Sequence, residues 1–319
     1  MKQYKTCLIC YRPIKDEDRL YHQSCCRKLY GRLDVPELPY SFSELKKLAK
    51  RIVKSRITVP GVQAKLSLHL DNTIKKSQRF TLVGLWGNFI LKPPLEKYPN
   101  MPEIENLTMY LAKLFGIETV PHGLIPLKSG ELAYITRRID RLSSGEKLHM
   151  EDMCQLNQRL TEDKYRGSLE QIGKIIKKYS SNPLFDCIRL FEITLFSFLS
   201  GNADMHLKNF SLIYPVKEMI QITPAYDLLA TRLIIPEKDD PEEMALTLNG
   251  KKRNFTLKDF KMYAENLGLN ERQIRNVFKR FSKALPQAKT AIDTELFPDE
   301  KKDEFKRLIS DRASRLNLM

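Results

Sequence analysis

No apolar stretch in this chain reaches the roughly 20 residues that a bilayer-spanning helix needs. The longest approach is the largely apolar run Leu184 to Leu199, which stops just before Gly201. The opening residues, Met1 to Cys7, contain no signal-peptide apolar region. A cytoplasmic protein without a membrane partner is the expectation, and its six cysteines are expected to be reduced. Internal repeats and low-complexity tracts are also missing, which excludes a solenoid and a disordered tail. The net charge is +15, yet no dense basic tail carries it: Lys and Arg are spread over Lys46 to Arg56, Lys174 to Lys178, Lys251 to Arg253 and Lys301 to Arg315. Such a field steers acidic partners or keeps the chain soluble, and it identifies no partner by itself.

What the chain does have is an ordered series of polar residues set between apolar elements. Residues Gly201-Asn-Ala-Asp-Met-His-Leu-Lys-Asn209 follow the apolar run and precede the strand-like Phe210-Ser-Leu-Ile-Tyr214. A buried helix that stops at glycine and then presents an aspartate and, five residues on, an asparagine can build a phosphoryl-transfer loop. Asp204 would orient or deprotonate a hydroxyl, and the carbonyl oxygen of Asn209 would hold Mg²⁺. A second metal carboxylate is then expected after a hairpin, and Tyr226-Asp227-Leu228 supplies it. Taken alone, Asp204 and Asn209 read rather as ordinary turn residues, because both types tolerate turn geometry and bond their own backbone.

The parts upstream change that balance. Arg56-Ile-Thr-Val-Pro-Gly-Val-Gln-Ala-Lys-Leu-Ser-Leu-His-Leu70 reads as a glycine-containing loop opening onto a half-buried strand, with Leu66, Leu68 and Leu70 alternating with Lys65, Ser67 and His69. Further on, Asn88-Phe-Ile-Leu-Lys-Pro-Pro94 is a short apolar strand carrying one lysine and stopped by two prolines. A lysine inside an apolar strand costs stability unless its ammonium meets an anion, and a nucleotide phosphate would provide one.

Together these residues resemble the HipA family of serine/threonine toxin kinases, a distant relative of the protein and phosphoinositide kinases. The resemblance runs from about Ser41 onward through Gly61-Val-Gln-Ala-Lys-Leu-Ser67, Ile90-Leu-Lys92-Pro, Arg138-Ile-Asp-Arg141, Glu151-Asp-Met-Cys-Gln155, Gly201 to Phe210 and Tyr226-Asp227. It implies an α+β, two-lobed kinase-like fold with a mixed N-lobe and a mainly helical C-lobe, and ATP and Mg²⁺ as cofactors. Carried over residue by residue, it implies that Lys92 contacts the ATP phosphates, that Asp204 is the catalytic acid-base residue, and that Asn209 and Asp227 ligate Mg²⁺. Gly61, Gln63, Lys65, Ile139 and His206 fall in the motifs expected around the nucleotide, and Glu105 matches a carboxylate bracing the lysine. Members carry one or two phosphorylatable serines just before the loop glycine, where this chain has Thr58 and Pro60. Control through a single autophosphorylation site, Thr58, is therefore the expectation, since Pro60 has no hydroxyl and fixes its own φ. Members also tend to be acidic where this chain has Arg137.

Three parts are expected along the chain: residues 1–40, a cysteine-bearing segment ending in the proline-punctuated linker Val35-Pro-Glu-Leu-Pro-Tyr40; residues 41–141, the N-lobe; and residues 142–319, the helical C-lobe. The period of apolar residues places helices over 104–115, 168–178, 184–199, 256–267, 271–285 and 299–316, and Leu246 to Gly250 reads as a hairpin. In the first segment Cys7-Leu-Ile-Cys10 is followed by His22-Gln-Ser-Cys25-Cys26. The C-x₂-C spacing brings two thiolates onto one metal, and His22 with Cys25, or with Cys26 instead, completes a tetrahedron of the kind structural Zn²⁺ prefers. The alternative is a set of unligated cysteines, which Cys154 and Cys187, in apolar helical contexts, are expected to be.

The family resemblance further implies a toxin acting on a translation factor such as an aminoacyl-tRNA synthetase. It also implies a HipB-like DNA-binding antitoxin through which nucleic acid is met only indirectly, and a separate small protein supplying the N-terminal subdomain of longer relatives. A phosphoinositide-type lipid kinase and a non-catalytic nucleic-acid- or protein-binding module are the competing readings. The intact set Lys92, Asp204, Asn209 and Asp227 speaks against the last of these.

Overall fold

The computed structural model describes residues 4–15, 19–54, 65–70, 79–84, 87–142, 146–216, 218–294 and 296–319. Thr58, Pro60, Gly61 and Gln63, expected in the phosphate loop, lie outside them. In chain order the helices are α1 (Gln23–Tyr30), α2 (Phe42–Lys54), α3 (Met101–Leu114), α4 (Met153–Leu156), α5 (Leu169–Tyr179), α6 (Pro183–Ser200), α7 (Leu257–Asn266), α8 (Glu271–Asp293) and α9 (Asp299–Arg315). The strands are β1 (Leu66–Leu70), β2 (Phe80–Val83), β3 (Phe89–Lys92), β4 (His122–Pro126), β5 (Leu132–Arg137), β6 (Met150–Asp152), β7 (Ser211–Val216) and β8 (Met219–Ile222). Among the described residues no helix is long and apolar enough to cross a membrane.

The chain divides into two compact units, Met1–Leu107 with Val120–Arg141 and Thr294–Phe297, and Thr108–Thr119 with Leu142–Asp293 and Pro298–Met319. The first is built on an antiparallel five-stranded sheet in the order β2-β1-β3-β5-β4. Alternation along β1 buries Leu66, Leu68 and Leu70 and leaves Lys65 and His69 exposed, as the period of two requires. The buried leucines meet Phe80, Phe89 and Leu91 on the neighbouring strands, and Phe80 and Phe89 pack edge to face at 5.2 Å.

The same core contains Cys7, Leu8, Tyr21, Leu29, Tyr30 and Leu38. The cysteine-bearing segment, too small to bury a core alone, thus shares that of the sheet. Val35 to Tyr40 follows suit: Leu38 is buried, and the carbonyl of Glu37 accepts from the N–H of Phe80 at 2.8 Å.

The second unit surrounds α6. Pro183 at its first turn brings a pre-set φ, and from Leu190 to Ser200 every residue is buried. Phe198 meets Phe260 at 5.1 Å, while the guanidinium of the buried Arg312 lies 4.8 Å from the Phe198 ring and donates to the Phe198 carbonyl. A three-stranded sheet β6-β7-β8 accompanies the helices, and Leu248 and Lys251 pair across Asn249-Gly250 as the hairpin expectation requires. The helices differ from the sequence expectation in three respects: α1, α2 and α4 are not among the expected helices, α3 begins at Met101 rather than Ile104, and α8 does not end at Leu285. The apolar period places the end at Leu285, but α8 runs on to Asp293 with Pro286 inside it. A helix-interior proline costs about 3 kcal/mol, and Ala288, Ala291 and Ile292 continue the buried stripe past it, which offsets that cost.

Candidate active site

In the first unit, β3 delivers Lys92 and α3 delivers Glu105. β3 is an interior strand between β1 and β5, with Leu91 opposite Leu66 and Ile135 and Lys92 opposite Tyr134, and the alternation of the strand puts Lys92 on the other face from Leu91. Its ammonium forms an ion pair with Glu105. Lys92 is 5% and Glu105 1% exposed, so the pair is desolvated. The Lys92 ammonium also lies 5.3 Å from the centre of the Tyr134 ring, whose negative face favours a cation. After β5, Ile139 is half-buried in a turn held by Asp140, which accepts from Arg138 at 2.9 and 2.7 Å and from Arg141 at 2.6 Å. Burial alone would raise the Asp140 carboxyl. The two guanidiniums outweigh it and hold the group below the usual carboxylate range.

In the second unit, the loop after α6 turns at Gly201, which has φ 76°. A side chain there would also drive a Cβ to 2.6 Å from the Leu308 side chain, so glycine is required twice over. The Gly201 carbonyl then accepts from the N–H of Arg232 at 3.0 Å and the hydroxyl of Thr231 at 3.2 Å, and the Thr231 hydroxyl accepts from the N–H of Ala203 at 2.8 Å. This pins the backbone just before Asp204, whose carboxylate is exposed. One of its oxygens accepts from the Tyr165 hydroxyl at 2.7 Å. Burial and the Asp204 carboxylate both push the Tyr165 phenol up, so it stays protonated as a donor. The Tyr165 ring also packs edge to face on the buried His206 at 5.1 Å.

Asn209 is 7% exposed, and its side-chain carbonyl oxygen has no hydrogen-bond partner among the described residues. A buried acceptor left open costs stability; a hard cation is the partner that an amide oxygen beside a carboxylate fits. The segment that carries Asp227 is tied to the segment that carries Asn209. The Tyr226 hydroxyl donates to the Lys208 carbonyl at 2.9 Å, tying the residue before Asp227 to the residue before Asn209. Asp227 itself stands at φ 57°, in the left-handed region that bulky side chains avoid and aspartate tolerates. Lys208 is turned away by Asp152, which accepts its ammonium at 2.6 Å and caps α4.

Residues 57–289 match the HipA-like C-terminal domain. The chain belongs to that family. A protein of Haemophilus influenzae named "Putative kinase" is 30% identical over 298 residues, 84% of this chain and 84% of that protein. The serine/threonine-protein kinase toxin HipA of Shewanella oneidensis is 26% identical over 255 residues, 74% of this chain and 57% of the toxin. A solved complex of Shewanella oneidensis HipA with HipB and its operator DNA superposes with a TM-score of 0.65 at 22% identity, covering 82% of this chain and 66% of that one. The Helicobacter pylori proinflammatory kinase CtkA superposes with a TM-score of 0.54 at 15% identity, covering 78% and 93%. The fold is therefore the α+β, kinase-type fold of HipA, with a mixed N-terminal unit and a mainly helical C-terminal unit.

Of the residues expected in the site, the structure brings Lys92 and Glu105 together. It exposes Asp204, buries His206 and Asn209, and leaves Lys65 exposed at the start of β1. It also assembles Cys7, Cys10, His22 and Cys25, whose ligand atoms all lie within 4.8 Å of one another; Cys154 and Cys187 are buried in the helical unit. Tyr165 is not among the sequence candidates. It is 39 positions from Asp204, and no pattern in the sequence joins the two.

Proposed function

We propose that this chain is an ATP- and Mg²⁺-dependent serine/threonine protein kinase and the toxin of a toxin–antitoxin pair. The observation carrying the reading is the division of kinase parts between well-defined surroundings: a buried lysine–carboxylate pair on a sheet strand, and an exposed aspartate on a pinned loop ahead of a buried, open amide oxygen. Lys92, oriented by Glu105, would bind phosphate oxygens of ATP. Asp204, held by Tyr165, would accept the proton from a serine or threonine hydroxyl as its oxygen bonds to the γ-phosphorus and the bond to the β-phosphate oxygen breaks, ADP leaving. Asn209 and Asp227 would hold Mg²⁺, which neutralises charge on the phosphate oxygens when bound. A scaffold that has abandoned catalysis has no need of this complete set.

The substrate class follows from the likeness to the Shewanella toxin, whose printed name specifies serine/threonine phosphorylation; a translation factor such as an aminoacyl-tRNA synthetase is the proposed target. The solved complex of that toxin holds HipB and operator DNA, and it supports a HipB-like antitoxin for this chain, with DNA met through the antitoxin. A separate small protein standing in for the N-terminal subdomain of longer relatives completes the proposed partners. Induction of wild type and Asp204→Asn in growing cells, followed by phosphoproteomics, tests the whole reading. Arrest by wild type alone with one dominant phosphoprotein supports it, whereas equal arrest by both would make the chain a binder.

Two narrower results are expected. Asp227→Asn should weaken Mg²⁺-dependent nucleotide binding by at least about tenfold, with binding measured without Mg²⁺ unchanged; equal affinities in Mg²⁺ would remove Asp227 from the site. Phosphate on Thr58 would add a charge of about −1.5 to −2 close to the γ-phosphate position and so switch the enzyme off. Mass spectrometry after incubation with ATP should find it in wild type and not in Asp204→Asn. Phosphate only elsewhere, with Thr58→Ala matching wild type, would end that regulatory reading.

A further inference from the structure

The four-ligand cluster in the first 40 residues takes no part in phosphoryl transfer, and its wiring leads to the residues that do. Cys7 and Cys10 flank a tight turn in which the N–H of Tyr11 donates to the Cys7 carbonyl at 2.9 Å. His22 caps α1, and Cys25 lies in the first turn of that helix. The His22 Nδ1 atom lies 3.4 Å from the Cys10 sulfur and 4.0 Å from the Cys25 sulfur. Its other nitrogen, Nε2, donates to the Pro13 carbonyl at 3.1 Å. That contact fixes the tautomer in which Nδ1 carries the lone pair toward the thiols, the arrangement found behind metal-bound histidines. A tetrahedral zinc with Zn–S bonds of about 2.3 Å sets its ligand atoms about 3.5–3.8 Å apart. The observed set closes to that size with a shift of about 1 Å.

The turn packs directly on the first unit's sheet and on α3. The Leu8 carbonyl accepts from the N–H of Leu124 on β4 at 2.9 Å, and a Cβ on Gly123 of that strand would come within 2.6 Å of the Ile9 side chain. From α3, the amide nitrogen of Asn106 donates to the Leu8 carbonyl at 3.4 Å and to the Tyr11 hydroxyl at 2.7 Å. Asn106 is 0% exposed and immediately follows Glu105. Its carbonyl oxygen accepts from His122 Nδ1 at 2.8 Å. The His122 ring stacks on Tyr134, over which the Lys92 ammonium lies. Both members of the Lys92–Glu105 pair therefore connect to the turn through Asn106. Tyr11 itself is held at φ 56°, a conformation that a bulky residue keeps only where its surroundings impose it.

We propose that Cys7, Cys10, His22 and Cys25 bind one Zn²⁺, and that the metal-held turn clamps α3 through Asn106, so that zinc occupancy sets how firmly the Lys92–Glu105 pair is presented to nucleotide. Asn106 is a positioning residue here, and the nucleotide part rests on the kinase reading above. The full chain, purified from zinc-containing medium, should carry one zinc per chain by elemental analysis. Removing it with a chelator under reducing conditions should speed amide hydrogen exchange at residues 101–107 and weaken binding of a fluorescent ATP analogue about tenfold, both restored by added Zn²⁺. Asn106→Ala should keep its zinc and show the same two losses, which a metal site that only stabilised its own segment would not produce. Chain purified free of metal overturns the site. Unchanged exchange at 101–107 after chelation and in Asn106→Ala overturns the clamp. An exchange response in a chain that binds no nucleotide in any form upholds the clamp and defeats the kinase reading instead.

Discussion

Asp204→Asn should lower the rate of phosphate transfer from ATP by about 10²–10⁴-fold, the contribution of a positioned general base, while nucleotide affinity and thermal stability stay close to wild type. The exchange removes basicity and little else. The substituted amide would keep an oxygen for the Tyr165 hydroxyl, and the position is exposed, so the fold loses no buried contact. The loop around it is held by Gly201, Thr231 and Arg232 through the backbone and remains in place. Initial rates of radiolabel transfer, measured beside ATP binding, give both halves of the result. A variant within about threefold of wild type, far short of a general base's contribution, would remove Asp204 from the mechanism.

Glu105→Gln should cost about 3–5 kcal/mol of stability, because it removes the carboxylate charge that faces the buried Lys92 ammonium. Urea denaturation would show it as a lower midpoint. The double variant Lys92→Met, Glu105→Gln should recover most of that loss, since no charge then stays desolvated, yet it should bind ATP poorly because the phosphate contact is gone. This separation matters for interpretation: it distinguishes a pair retained for ligand binding from one retained for stability. A single variant as stable as wild type would show that solvent reaches Lys92, and the buried pair would no longer support the site.

Much of the candidate site is legible because its chemistry is local. Gly201 through Asn209 are consecutive, the glycine marks the helix end, and the apolar β3 singles out Lys92 by contrast with its neighbours. The two-residue spacing of Cys7 and Cys10 announces a metal turn for the same reason. Helix periods place α3 and α5 to α9 but leave α1, α2 and α4 unplaced, and only the buried stripe beyond Pro286 in the folded protein shows that α8 continues past Leu285.

By itself, then, the sequence determined most of the element types, the order of the candidate kinase motifs and five metal-ligand candidates, Cys7, Cys10, His22, Cys25 and Cys26, since dihedral preference, apolar period and short spacing are properties of neighbouring residues. The tertiary structure decided which distant groups meet. It chose Cys25 over Cys26, joined Lys92 to Glu105, set Tyr165 against Asp204, and packed the cysteine segment into the core of the sheet, with Asn106 bonded to its turn. None of these contacts leaves a periodic trace, because each depends on where two separately determined elements come to rest when their apolar faces are buried.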